Sequence, residues 1–196
     1  MARRSLRLPL DKRLIVFVAQ RVTNVNKGMS YLAEACQKLV AKYPEMRQSV
    51  GVAILGGYAE DFAGDLELPV YPLGYVDDEK KIVDVYNAAD VFVLPSLSEN
   101  LPNTIMEAMA CGLPCVGFNV GGIPEMIDHR KNGYVAIYKD ANDLARGIRW
   151  VLFESDYESL SRQAIQKVCQ TYSQQSVALR YIEVYNQALA LKDYDL

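Results

Sequence analysis

Two carboxylates stand eight positions apart in the stretch Pro95-Ser-Leu-Ser-Glu-Asn-Leu-Pro-Asn-Thr-Ile-Met-Glu-Ala-Met-Ala-Cys-Gly112. Glu99 lies in a loop that follows an apolar strand-like run. Glu107 is set in Ile-Met-Glu-Ala-Met-Ala-Cys, a helical segment apolar nearly all the way round, which reads as a buried helix. A buried carboxylate without a partner is costly, so Glu107 is expected to meet a donor in the protein or in a ligand. Asn103 falls one turn earlier on the same face. Pro102 suits an early helical position, where its missing N–H costs nothing. The free amides near Asn103 and Thr104 open the helix and favour an anion. An acidic loop residue, unpaired amides and an acidic helix residue together point to a ligand that carries both hydroxyls and phosphates. The plain alternative is that Glu99 is a solvated loop residue and Glu107 a satisfied core polar group.

A second element, Gln20-Arg-Val-Thr-Asn-Val-Asn-Lys-Gly28, directly follows the first strand-like run. Arg21 and Lys27 flank it, and charge-assisted contacts of this kind suit a diphosphate, each worth roughly 1.5–3 kcal/mol. Two ordinary surface cations would look the same. A third element, Gly121-Gly-Ile-Pro-Glu125, allows close backbone approach, and a plain strand-to-helix turn explains it equally well, so it is placed behind the first two. No Asp-x-Asp metal signature stands beyond a strand, and Asp193 and Asp195 are discounted as tail residues. Cys36, Cys111, Cys115 and Cys169 lack paired zinc spacing, and the single histidine, His129, has no partners nearby in sequence. The cysteines read as small hydrophobes of a reduced, cytosolic protein.

The elements that must position these residues alternate. Leu14 to Ala19 and Val50 to Leu55 are continuous apolar runs, as expected of strands buried on both faces. Val70 to Leu73, Val91 to Leu94, Cys115 to Phe118 and Tyr134 to Ile137 are shorter strands. Helical spacing marks Leu32 to Tyr43, Glu79 to Ala89 and Pro102 to Cys111, with a short turn after Pro124. Three helices close the chain: Asn142 to Phe153, Tyr157 to Cys169 and Gln174 to Leu191. Strands alternating with helices argue for an α/β fold, a doubly wound parallel sheet of Rossmann type in a single domain. Such folds bind ligands beyond the carboxyl ends of their strands.

Composition narrows the function. The chain has 196 residues, half of them apolar and 23% charged, enough for one domain with a full core. A net charge of −3 gives no general support for a nucleic-acid partner. No apolar run approaches the roughly 20 residues that span a bilayer. The first thirteen residues carry Arg3, Arg4, Arg7, Lys12 and Arg13 with little apolar periodicity, and read as a basic linker; a patch for anionic lipid is the weaker alternative.

Taken together, these motifs resemble the C-terminal domain of the family-four retaining glycosyltransferases, which have the two-domain GT-B architecture. The resemblance covers essentially the whole chain. It is strongest from Leu73-Gly-Tyr-Val through Ala89-Asp-Val-Phe-Val-Leu-Pro-Ser96 to Gly133-Tyr-Val, and Glu99 and Glu107 match the family's Glu-x7-Glu element. It implies that Arg21 and Lys27 hold the donor diphosphate and stabilise charge on the leaving phosphate. Glu107 would accept hydrogen bonds from ribose hydroxyls. Glu99 would contact the transferred sugar, helped by the backbone of Asn100, Leu101, Pro102 and Asn103. Thr104 belongs to the same donor-binding helix start, and Tyr75 and Val76 would line the base pocket. The family in general needs no metal, so neither metal nor other cofactor is expected. The implied partners are a nucleoside-diphosphate sugar and an acceptor sugar or lipid-linked sugar, in polysaccharide or glycolipid synthesis. The implied site of action is the cytoplasm, with peripheral attachment at the inner membrane face where the acceptor is lipid-linked.

This chain departs from the family's common Glu-Gly-Phe-Gly, having Glu99-Asn-Leu-Pro102 instead, which takes glycine freedom from the sugar loop. The N-terminal acceptor-binding domain has no counterpart here. Residues 1–13 are therefore expected to be an interdomain linker and residues 14–196 the donor domain, inactive alone, with helix 174–191 packing towards the N-terminal domain. Two other readings remain: a non-catalytic nucleotide-sugar-binding module, and a GT-B-like sugar-nucleotide epimerase.

Overall fold

A computed structural model describes residues 2–62, 64 and 66–192, with the side chains of 191 and 192 excepted. Asp193 and Asp195 lie outside the described residues. The centre is a parallel sheet of six strands: β1 (Arg13–Arg21), β2 (Val50–Gly57), β3 (Val70–Gly74), β4 (Val91–Leu94), β5 (Cys115–Phe118) and β6 (Gly133–Ala136). Their order is β3-β2-β1-β4-β5-β6, with every pairing parallel. The doubly wound parallel sheet read from the alternation is the fold observed.

Strand side chains alternate between two cores, which is why the strands are apolar at every position. Ile15, Phe17, Val52, Ile54, Val91 and Val93 enter one core. Leu14, Val16, Ala53, Leu55, Phe92 and Leu94 enter the other. The first is covered by α2 (Met29–Lys42) and α7 (Ala141–Arg149), through residues such as Leu32, Ala35, Leu144 and Ile148. The second is covered by α4 (Glu79–Ala88), α5 (Asn103–Ala110) and α8 (Tyr157–Thr171), through Val85, Tyr86, Ile105, Met109 and Ala164. Each Val, Leu, Ile or Met side chain fully taken from water contributes about 1.5–3 kcal/mol. The remaining helices are α1 (Ala2–Ser5), α3 (Met46–Ser49), α6 (Ile123–Met126) and α9 (Gln174–Lys192).

Three expectations need amending. The basic arm read as a plain linker is bound into the domain: Leu8 is buried, and Arg3 donates to the carbonyls of Ala88 (2.8 Å) and Lys12 (2.7 Å). Its hold comes from Arg3 reaching Ala88 and Asp90 just ahead of β4, a contact that periodicity does not report. The helix expected to run from Asn142 to Phe153 changes pitch: α7 ends at Arg149 and Trp150–Glu154 continues as a π-helical turn, with Arg149 paired to Glu154 five residues on. The cysteines are all free, but only Cys36 and Cys115 are buried; Cys169 is exposed on α8. Burial pushes the Cys36 thiol up to about 12, as befits an inert core residue.

Candidate functional site

The strand order reverses between β1 and β4, and the carboxyl edge at such a switch point is where open α/β sheets take ligands. Arg21 ends β1 and Lys27 follows in a short 3-10 turn, Val25–Lys27. Residues 95–102 leave β4 and lead into α5. Two of the sequence's separate elements are thereby brought to one place.

Glycines set the approach. Gly28 has φ +74°, and a Cβ there would lie 1.8 Å from the Pro95 carbonyl oxygen. Only glycine lets the β1 loop touch the β4 loop in this way. Leu97 N–H donates to the Asn26 carbonyl across the junction at 2.8 Å. On the other side, a Cβ at Gly121 (φ +54°) would lie 1.7 Å from the Glu99 carbonyl oxygen, and Gly122 N–H donates to the Asn100 carbonyl at 2.6 Å. The glycine-rich loop therefore approaches protein backbone closely, as a support for the Glu99 loop. Tyr138, which sequence reasoning did not single out, completes the cradle by donating its hydroxyl to the Leu97 carbonyl at 3.0 Å.

The result is an ion pair. Lys27 Nζ stands 2.6 Å from Glu99 Oε1, with the carboxylate side chain only 12% exposed and the lysine 33%. Arg21 is exposed and pairs with no carboxylate among the described residues; its guanidinium lies 6.0 Å from the centroid of the Tyr58 ring. Tyr58 was also missed by the sequence. It follows β2 with φ +67°, a left-handed conformation uncommon for a bulky residue.

Helix α5 corrects two expectations. Pro102 is its N-cap rather than its first residue, and it supplies no side-chain cap. The amides of Asn103 and Thr104 find no acceptor among the described residues. They remain available to an anion at the positive end of the helix. Glu107 is exposed, not buried. Ile105, Ala108 and Met109 turn inward, which places Asn103, Glu107 and Ala110 together on the opposite, open face. The small apolar residues on that face made the helix look wholly internal. Asn103 and Glu107 do share one face, as their spacing requires.

Glu107 has one side-chain partner among the described residues: the hydroxyl of Tyr86, from α4, donates to Oε2 at 3.0 Å. Burial, and then the neighbouring Glu107 charge, push the Tyr86 phenol well above its ordinary range. Half-buried Cys111, one turn beyond Glu107, has its thiol raised by burial first and by the same carboxylate second. Tyr86 is a further residue the sequence did not flag, since its position marks it simply as core.

The remaining candidates are arranged more loosely. Asn100 and Leu101 are exposed at the tip of the loop. Tyr75 and Val76 follow β3, the edge strand, so they stand two strands from β1. Tyr75 is largely exposed, whereas Val76 packs into the same core as Tyr86 and Met106. No hydrogen bond or ion pair joins either to Lys27, Glu99 or Glu107 among the described residues. Ser96 is fully buried, and its hydroxyl has no partner among the described residues. The described residues hold no group of three or more metal-ligating side chains.

Residues 12–154 match the family model described as glycosyl transferases group 1. An uncharacterised glycosyltransferase of Methanocaldococcus jannaschii is 32% identical over 192 residues, which cover 96% of this chain and 48% of that protein. Sucrose-phosphate synthase of Thermosynechococcus elongatus superposes with a TM-score of 0.79 at 26% identity, over 97% of this chain and 49% of its own. HepE of Anabaena, solved with UDP and glucose, gives a TM-score of 0.76 at 21% identity, over 94% of this chain and 51% of its own, a likeness of fold. This chain thus spans about half the length of each of these three proteins. On the matched residues and on the fold, it belongs to the group 1 glycosyltransferases.

Proposed function

We propose that this chain is the donor-binding domain of a retaining glycosyltransferase, one that moves a hexose from a nucleoside-diphosphate sugar to an acceptor hydroxyl. The observation that carries this reading is the convergence of the β1 and β4 loops at the carboxyl edge of the sheet. Lys27 pairs with Glu99 there, beside two uncapped amides and an open helix face bearing Glu107. Those are groups suited to the ribose, the diphosphate and the sugar of a nucleotide sugar.

In the structure Lys27 neutralises Glu99. A bound diphosphate would bring its own charge to Lys27 and Arg21, and would meet the amides of Asn103 and Thr104. Glu99 is then free to accept hydrogen bonds from sugar hydroxyls. As the glycosidic bond breaks, the electron pair stays with the leaving phosphate, and the fixed cations and amides stabilise that growing charge without reorganising. The cation pair makes a metal unnecessary for this role. Tyr75 and Val76 are assigned to the base, and the backbone of Asn100, Leu101, Pro102 and Asn103 to the sugar.

The other half of the enzyme, on this reading, is an N-terminal domain that binds the acceptor, a sugar or lipid-linked sugar used in polysaccharide or glycolipid synthesis. Helix α9 supports the idea, because Leu179, Tyr181, Ile182, Val184, Tyr185 and Leu189 along it are all exposed. An apolar surface of that extent suits a partner domain. The donor domain would then be inactive alone. No helix among the described residues is long and apolar enough to cross a membrane. Action in the cytoplasm, at or near the inner membrane face, is part of the same proposal.

The experiment is a calorimetric titration of the chain with UDP, GDP, ADP and inorganic pyrophosphate, without metal and then with magnesium. Metal-independent binding of one nucleotide is expected, with Glu107→Ala losing nucleotide affinity and keeping pyrophosphate affinity. Equal losses for both would remove the ribose role from Glu107.

A further inference from the structure

Glu107 is an exposed side chain with three rotatable bonds, and holding such a chain in one rotamer costs entropy. Yet it is held. The Tyr86 hydroxyl that binds Oε2 belongs to a residue only 1% exposed, whose ring meets Phe92 of β4 edge-on, with centroids 5.9 Å apart and planes at 85°. The phenol is fixed by the core and points outward to the helix face. It stays protonated because burial and the Glu107 charge both oppose its ionisation, so towards a carboxylate it acts as a donor. With Oε2 taken, Oε1 has no partner among the described residues and is left to accept from a ligand.

Resting on the reading of Glu107 as the ribose acceptor, we propose that Tyr86 is a positioning residue for the nucleoside. Its hydroxyl orients the Glu107 carboxylate so that the free oxygen meets the ribose hydroxyls, and thereby makes the site select ribonucleoside over deoxyribonucleoside diphosphates. Tyr86 itself touches no ligand. It converts a mobile surface carboxylate into a preorganised acceptor, which saves the ordering cost at the moment of binding.

The test compares wild type, Tyr86→Phe, Glu107→Ala and the double variant. Three probes are titrated: the tightest-binding nucleotide among UDP, GDP and ADP, its 2′,3′-dideoxy counterpart, and pyrophosphate. Phenylalanine keeps the ring and its contact with Phe92. Tyr86→Phe should weaken the ribonucleotide about three- to tenfold, in line with a charge-assisted hydrogen bond that acts indirectly. It should leave the dideoxy nucleotide and pyrophosphate unchanged and add nothing to Glu107→Ala. A merely structural tyrosine would weaken all three probes alike or none, and either result overturns the proposal while leaving Glu107 in place. If Glu107→Ala does not weaken the ribonucleotide, the reading of Glu107 is lost, and the role of Tyr86 with it.

Discussion

The two ends of the central strands use the same chemistry to different effect. At the amino-terminal end, Asp90 accepts the Leu14 N–H at 2.6 Å and pairs with Arg3 at 2.7 Å and Arg13 at 3.5 Å. Its carboxylate is saturated by the chain itself, and it staples the start of β1 to β4 and to the N-terminal arm. At the carboxyl-terminal end, Glu99 and Glu107 have one side-chain partner each, and two helix amides have none among the described residues. A carboxylate whose partners all come from the fold belongs to the fold. One left with unused valence, on an open face, at a topological switch point, is placed for a ligand.

The largest effect should come from Gly28→Ala, because the added Cβ would fall 1.8 Å from the Pro95 carbonyl oxygen at a left-handed φ. The two loops would have to part, at a cost of about 3 kcal/mol or more. A melting-temperature fall of about 6–12 °C is expected, together with loss of pyrophosphate binding, since Lys27 and Glu99 no longer meet. Retained binding would show that the site does not depend on this junction. Next, Asp90→Ala leaves Arg3 and the Leu14 amide without their acceptor. It should cost about 2–3 kcal/mol of stability and leave nucleotide affinity unchanged below the melting range. A loss of affinity at full folding would break the division between a structural and a functional end.

That division was only partly legible in the sequence. The parallel sheet was readable because strands buried on both faces must be apolar at every position, as Leu14 to Phe17 are. Glu99 and Glu107 were readable as a pair because the spacing carries them from a loop to one face of the helix that follows. What stayed hidden depends on distance in space. Asp90 sits inside the Ala89-Asp-Val-Phe motif, but its partners Arg3 and Arg13 lie 87 and 77 positions away. Tyr86 has the helical spacing of a core residue, and only the fold shows its hydroxyl emerging beside Glu107. Glu107 reads as internal in the sequence, since its neighbours Met106, Ala110 and Cys111 have the composition of a core, although Ala110 is exposed and the other two are only partly buried.

A smaller effect is expected from Lys27→Ala. The variant removes the one side-chain partner Glu99 has among the described residues and a cation from the proposed diphosphate position. Nucleotide and pyrophosphate should both weaken, by about tenfold or more, as for loss of one charge-assisted contact. The result sharpens the contrast with Glu107→Ala, which should spare pyrophosphate. If Lys27→Ala binds pyrophosphate as wild type does, the ion pair is a second structural staple like that of Asp90.

The smallest effect tests the outer cation. The Arg21 guanidinium lies 6.0 Å from the Tyr58 ring centroid, at the limit of a cation–π contact worth about 0.5–1 kcal/mol at an exposed site. Tyr58 also has φ +67°, which asparagine tolerates better than tyrosine. Tyr58→Asn therefore separates strain from stacking: the melting temperature should hold or rise slightly, while pyrophosphate affinity falls about two- to fivefold as Arg21 loses its platform. The fall should vanish in an Arg21→Ala background. A Tyr58→Asn variant with unchanged affinity would mean that the ring does not hold Arg21 for the phosphates. In that case Lys27, fixed to Glu99, remains a cation that the fold preorganises at this edge.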